Sequence, residues 1–254
     1  MPLWTDSHAH LDEFNDSALD DAIAAARAAG VHRILNVATS LAASATVIRQ
    51  CARVSCLMSG VGISPFDITG APQSWEQELM SLARNSEVVA IGETGIDTTN
   101  PTYPPLDLQI EFFERHCAIA ITRNIPVIVH SRGCERQALD ICKTIGVRKA
   151  VFHCYTGPLD IMKKIIDAGY VVSFSGIVTF ARDPLATLVQ AIPLDSVLVE
   201  TDTPYLAPVP HRGKPNQPAW IALVGKRIAE IRKMDEQELA AAIEKTFDRV
   251  FDEH

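Results

Sequence analysis

The chain has 254 residues, 47% of them hydrophobic and 21% charged, with a formal net charge of −8. That length buries a large core, and the acidic balance excludes a broad basic field for duplex nucleic acid, so an anionic substrate must be met locally by a metal or a few arginines. No apolar run reaches the roughly 18 residues of a membrane span, and the six cysteines form no C-x-x-C pair, which reads as reduced, mostly buried thiols and not as a metal site.

Short β-branched runs alternate with longer amphipathic ones. "PLWTDSH" reads as the first strand, and "DSALDDAIAAARAAG" as a helix with Asp16 at its N-cap and Gly30 at its stop. Strand "RILNVATS" and helix "LAASATVIRQCARV" follow, then strand "LMSGVGIS" and helix "SWEQELMSLARN". "VVAIGETG" precedes the long helix "LDLQIEFFERHCAIAITRN", and "PVIVHSR" precedes "GCERQALDICKTIG". The last strands are "KAVFHCY", "YVVSFSG" and "SVLVETD". Their helices are "PLDIMKKIIDAG", "DPLATLVQAIP" and "QPAWIALVGKRIAEIRK", and a final helix, "DEQELAAAIEKTFDRVF", closes the chain. Apolar strands alternating with helices predict a parallel sheet covered on its outside. The expected closure is a (β/α)₈ TIM barrel, one domain over residues 1–254 with an extra C-terminal helix; a doubly wound open sheet is the alternative. The G-x-G-x-x-G fingerprint of dinucleotide folds is absent.

The residues able to do chemistry fall at the C-terminal ends of these strands. His8 and His10 end the first, Glu93 and Asp97 the fourth, His130 the fifth, His153 the sixth, and Glu200 and Asp202 the eighth. In a barrel those ends converge on one mouth. Strand side chains alternate, so imidazoles two residues apart point to the same side and can grip one ion. Four imidazoles with several carboxylates suit zinc, manganese or a similar divalent ion. Their number exceeds one tetrahedral site, and Glu93 is placed to bridge two ions.

Of the eight histidines, the other four read differently. His32 is expected at the surface, His116 within a helix and His254 at the terminus. His211 lies in the proline-stiffened loop "APVPHRGKPNQP" with Arg212 and Lys214, which reads as a basic lip able to meet phosphate. The opening "MPLWTDSHAH" has no basic-then-apolar leader, and a cytoplasmic monomer is the expectation.

Six segments, "DSHAHLD", "IGETGID", "IPVIVHSR", "FHCYTG", "VSFSGIVTF" and "LVETDTPYLAPVPHRGKPNQP", resemble in order and spacing the signature segments of the TatD-type metal-dependent deoxyribonucleases. The resemblance runs along essentially the whole chain. It implies His8, His10, Glu93 and Asp202 around one divalent ion and Glu93, His130 and His153 around a second, with magnesium, manganese or zinc as the metal. It implies DNA as the substrate, cut at phosphodiester bonds in a 3′-to-5′ exonuclease manner. On that reading Asp202 accepts the proton of the attacking water, Glu200 supports the shell, and Arg132 and Arg212 contact phosphate.

The chain departs from the family pattern in three places. Ser64 and Phe66 of "GISPFD" stand where the family has two histidines; Thr98 and Thr99 follow Asp97 where an aromatic residue is usual; and Gly133 replaces the usual aspartate after "HSR". These departures mark a divergent member. They keep open hydrolysis of another ester or amide on the same metals (a small phosphodiester, a lactone or an aminoacyl ester), and a metal-binding protein with weakened catalysis.

Overall fold

The structure is a computed structural model that describes residues 2–180 and 185–252. Eight strands occur in it: β1 (Trp4–Ala9), β2 (Val31–Val37), β3 (Leu57–Val61), β4 (Val88–Asp97), β5 (Val127–Arg132), β6 (Ala150–Phe152), β7 (Val171–Phe174) and β8 (Val197–Val199). The helices after successive strands are α1 (Asp16–Ala28), α2 (Leu41–Arg53), α3 (Trp75–Leu82), α4 (Leu106–Arg123), α5 (Glu135–Ile145), α6 (Leu159–Asp167), α7 (Ala186–Ala191) and α8 (Ile221–Arg232). A ninth, α9 (Glu236–Phe251), follows. His254 and the first two residues of the segment "DPLATLVQAIP" lie outside the described residues.

The strands are parallel and lie in the order β1 to β8. Nothing reverses that order, so the doubly wound alternative is ruled out. The ends of the sheet meet each other. Ser7 Oγ donates to Val199 O at 2.9 Å, and beyond the strands the His10 N–H donates to Thr203 O at 2.7 Å. The fold is therefore the expected (β/α)₈ barrel with an added C-terminal helix.

Local chemistry explains the element ends. Helix α1 is capped by Asn15 and not by Asp16: Asn15 has extended backbone and its side-chain oxygen accepts the Ala18 N–H at 3.0 Å. Asp16 is instead the first helical residue, where its charge faces the helix N-terminus. Gly30, with φ +86°, supplies the left-handed step after the helix.

Opposite the mouth, α9 ties the barrel shut. Its Glu244 accepts from Thr5 Oγ1 and Arg33, and Arg33 also pairs with Asp248 at 2.5 Å and Asp252 at 2.8 Å. His32 joins this network 3.0 Å from Glu244, so it is half-buried and partnered where the sequence suggested plain surface. In barrels this face serves stability and leaves the other for chemistry. All six cysteines are free and five are buried, as expected.

Candidate metal centre

Every strand-end residue singled out in the sequence reaches the same place. His8 is on β1 and His10 one residue past it; Glu93 and Asp97 are on β4, His130 on β5, His153 just after β6, and Glu200 and Asp202 just after β8. Two sharp turns set the last positions. Cys154 has φ +47° and Asp202 φ +58°, left-handed conformations uncommon outside glycine. Each turns the chain immediately at the rim, Cys154 next to the candidate ligand His153 and Asp202 at a candidate ligand itself.

Glu93 lies at the centre and splits its two oxygens. Oε2 stands 3.4 Å from both His8 Nε2 and His10 Nε2. Oε1 stands 2.9 Å from His130 Nδ1 and 3.3 Å from His153 Nε2. The ring nitrogens themselves pair closely, His8 Nε2 with His10 Nε2 and His130 Nδ1 with His153 Nε2, both at 3.1 Å. Asp202 Oδ1 completes the first half, 3.5 Å from His10 Nε2 and 3.8 Å from His8 Nε2.

These donors fit divalent cations. Atoms roughly 2.1 Å from a common ion at tetrahedral or octahedral angles stand roughly 3.0–3.4 Å from one another. The sets His8–His10–Glu93 and Glu93–His130–His153 are buried, with donor atoms 2.9–3.4 Å apart, and a third set, His8–His153–Asp202, joins the two.

The outward nitrogens decide the tautomers. His10 Nδ1–H donates to Val37 O at 2.8 Å. His130 Nε2–H faces Asp97 Oδ2 at 3.0 Å; His153 Nδ1 and Glu200 Oε1 stand 3.5 Å apart without a hydrogen bond between them. On His10 and His130 the outward hydrogen makes the inward nitrogen the one that can coordinate, the arrangement a metal demands. Glu200 is positioned further by Ser173 Oγ, which donates to it at 2.5 Å. It backs a ligand and does not face the shared space. Asp97 has the same role toward His130, which spacing along β4 alone did not reveal.

Electrostatics agree. Burial disfavours charge on Glu93, but the His153 charge and hydrogen bonds from three imidazoles outweigh it and hold the carboxyl well below the carboxylate range. Burial likewise opposes protonation of His10, yet its hydrogen bond to Asp202 and the Glu93 charge push it up to about 9. His8 moves the other way, lowered by burial and by the charge of His153. The anionic centre thus calls for positive charge, and bound protons supply it when no other cation does.

The sequence-predicted substrate contacts are less uniform. Arg132, half-buried two residues past His130, donates to Thr156 Oγ1 and feels the charges of Asp202 and Glu200. His211 instead stacks on Trp220, with ring centres 4.0 Å apart, and the Arg212 guanidinium sits 3.6 Å over the Phe180 ring. Their partners are aromatic rings of the wall. Ser64 Oγ is turned to Asp67 Oδ2 at 2.8 Å, whereas Phe66 lies edge-on to His130 with ring centres 5.0 Å apart.

A family model described as "TatD related DNase" matches residues 5–252. This chain belongs to that family. An "uncharacterized metal-dependent hydrolase YcfH" of Escherichia coli K12 is 38% identical, over 97% of this chain and 94% of that protein. A TatD protein of Citrobacter koseri, described as a "3'-5' ssDNA/RNA exonuclease", is 33% identical over 91% of this chain and 92% of its own length. Among solved structures, the TatD homologue YJJV of Escherichia coli K12 superposes with a TM-score of 0.92 at 26% identity, each chain 98% covered. The TatD-family chain described above is thus a metal-dependent hydrolase with a His, Glu and Asp cluster at the mouth of its barrel.

Proposed function

We propose that this TatD-family hydrolase cleaves phosphodiester bonds of single-stranded nucleic acid, DNA foremost, from a 3′ end. The observation that carries the proposal is the division of Glu93 between two nests of imidazole nitrogens. It suits two divalent ions (magnesium, manganese or zinc), one held by His8, His10, Glu93 and Asp202 and the other by Glu93, His130 and His153. The exonuclease description of the 33%-identical relative supports the substrate class.

Bound divalent cations would lower the pKa of a water and offset phosphate charge, which is what hydrolysis of a phosphodiester needs. The chain's own groups do the rest. Asp202 sits at the lip of the first nest, and its carboxyl is held low because the His10 hydrogen bond and nearby imidazole charges overcome burial. It is ionised at neutral pH and takes the proton of the attacking water. Asp97 keeps the proton of His130 on its outward nitrogen, and the Glu200 charge lies beside His153. Arg132 is the cation closest in sequence to a ligand and meets a non-bridging phosphate oxygen. Among the described residues no helix is long and apolar enough to cross a membrane.

The test is cleavage of end-labelled single- and double-stranded DNA by protein loaded with magnesium, manganese or zinc, beside His130→Ala. Stepwise shortening from the 3′ end by the parent, lost in the variant, is expected. Equal cleavage by both proteins would remove the two-metal role of His130, and turnover of lactones or aminoacyl esters without any on DNA would overturn the nuclease reading.

A further inference from the structure

Among the described residues, two large aromatic side chains are exposed, Tyr205 at 61% and Phe66 at 37%. Both lie against imidazoles of the metal centre. The Tyr205 ring stands 6.1 Å from that of His10, and the Phe66 ring 5.0 Å from that of His130. Phe66 is extended outward by Tyr103, whose ring centre is 4.7 Å away. One aromatic surface therefore flanks the His8–His10 nest and a second flanks the His130–His153 nest. Neither Phe66 nor Tyr205 belongs to the hydrophobic core, so folding does not account for them. Apolar rings left in water beside a polar site mark a binding surface.

A nuclease with a net charge of −8 cannot gain much affinity from a long track of phosphate contacts. Stacking is the other source, and it is indifferent to sequence because every base has a π face. We propose that the bases on the two sides of the scissile phosphodiester stack on these two surfaces, one on Tyr205 and the other on the Phe66–Tyr103 step. The proposal rests on the nuclease reading above. The Tyr205 side has the room: a cavity of about 370 Å³ opens there, lined by His10, Phe14, Pro204 and Pro215, with Asp12 and Glu13 on its wall. Its apolar lining receives a base. Its carboxylates accept hydrogen bonds from a base amino group or sugar hydroxyl and repel a further phosphate, so the cavity takes the terminal nucleoside. Phe66, which replaces a histidine of the family pattern, thereby acquires a use in substrate positioning.

The experiment compares an oligonucleotide with the same strand made abasic at its two 3′-terminal positions, on parent, Phe66→Ala, Phe66→Trp and Tyr205→Ala proteins. The parent should show a KM for the doubly abasic strand about thirty-fold or more above that for the intact one, each lost base contributing roughly five-fold or more. Each alanine variant should raise KM on the intact strand and lose most of that preference at little cost in kcat, and Phe66→Trp should restore it. Calorimetry of deoxyadenosine 5′-monophosphate against 2-deoxyribose 5-phosphate reads the same stacking without turnover; the parent should favour the nucleotide, and Tyr205→Ala should not. Cleavage with no preference for bases in the parent, or a preference untouched in the alanine variants, overturns stacking and leaves the nuclease standing. Absence of cleavage on every strand overturns the nuclease reading, and the calorimetric pair then decides stacking alone.

Discussion

Asp97 Oδ2 stands 3.0 Å from His130 Nε2, so the imidazole turns Nδ1, and not Nε2, toward Glu93. The carboxylate holds the outer proton and makes the inner nitrogen a better donor. An Asp97→Asn substitution should disturb this without disturbing the strand, because the Asp97 N–H bond to Gln109 Oε1 is made by backbone. An amide can donate to Nε2 and drive the proton onto Nδ1, where it blocks coordination. Zinc or manganese affinity on the His130–His153 side should fall about 10- to 100-fold, with the other nest much less affected. Two-site calorimetric titration distinguishes the cases, and unchanged affinities at both sites would dismiss the role.

Glu93 should couple metal loading to stability. The native centre binds the ions and the unfolded chain does not, so ligand at a hundred times its Kd adds about 2.7 kcal/mol. For a chain of this size that is a rise in melting temperature of roughly 5–10 °C, reversed by a chelator. Glu93→Gln removes one negative charge from both nests at once. It should abolish most of that metal-dependent rise and lower metal content toward zero, as read by elemental analysis after dialysis. Retention of two ions per chain by the variant would refute the bridging position.

Much of this centre was legible because alternation along a strand is local. His8 with His10 needed only two-residue spacing and a strand end. Glu200 and Asp202 share that spacing but lie past β8, where the left-handed turn at Asp202 brings only the latter to the shared space. The outward partners were not legible in the same way. Val37 O reaches His10 across the sheet, and Asp97 reaches His130 only because β4 pairs with β5. Those contacts depend on strand register, which periodicity does not specify. The ring contacts of the loop after β8 were likewise not legible: its charge suggested a phosphate lip, and the structure adds that His211 lies on Trp220 and Arg212 over Phe180, the latter brought in from the segment after β7. Helix α1 shows the opposite case, in which Asn15 and Asp16 are both competent caps and backbone conformation alone chooses.

Two glycines separate the stability of the barrel from its site. Gly95, with φ +144°, lies between Glu93 and Asp97, and a Cβ there would fall 2.0 Å from the His130 carbonyl oxygen. Gly225 on α8 faces Trp4, whose ring a Cβ would meet at 2.2 Å. Both alanine variants should be destabilised, by about 1–3 kcal/mol or more. Only Gly95→Ala should also weaken metal binding, because it pushes β4 away from β5 where three site residues sit. Chemical denaturation paired with metal titration checks this, and equal loss of metal affinity in both variants would contradict it.

His116 should set the acid limit of the fold independently of the metal. It is fully buried in α4, its Nε2 accepting the Ile63 N–H at 3.1 Å and its Nδ1–H donating to Phe112 O at 2.7 Å. Burial lowers its pKa to about 4, against an ordinary 6.5. Below about 6.5 the unfolded chain takes up a proton that the folded one refuses, so stability is complete above that pH and falls as pH drops toward 4. The shift corresponds to roughly 3 kcal/mol across that window and nothing further below it. His116→Gln retains an acceptor for the Ile63 N–H but does not titrate. Urea denaturation of both proteins with chelator present, from pH 7 to pH 4, should show the parent losing about 3 kcal/mol more than the variant. Parallel curves would mean that the imidazole finds a way to stay protonated inside the folded barrel, by water entry or by local opening of α4.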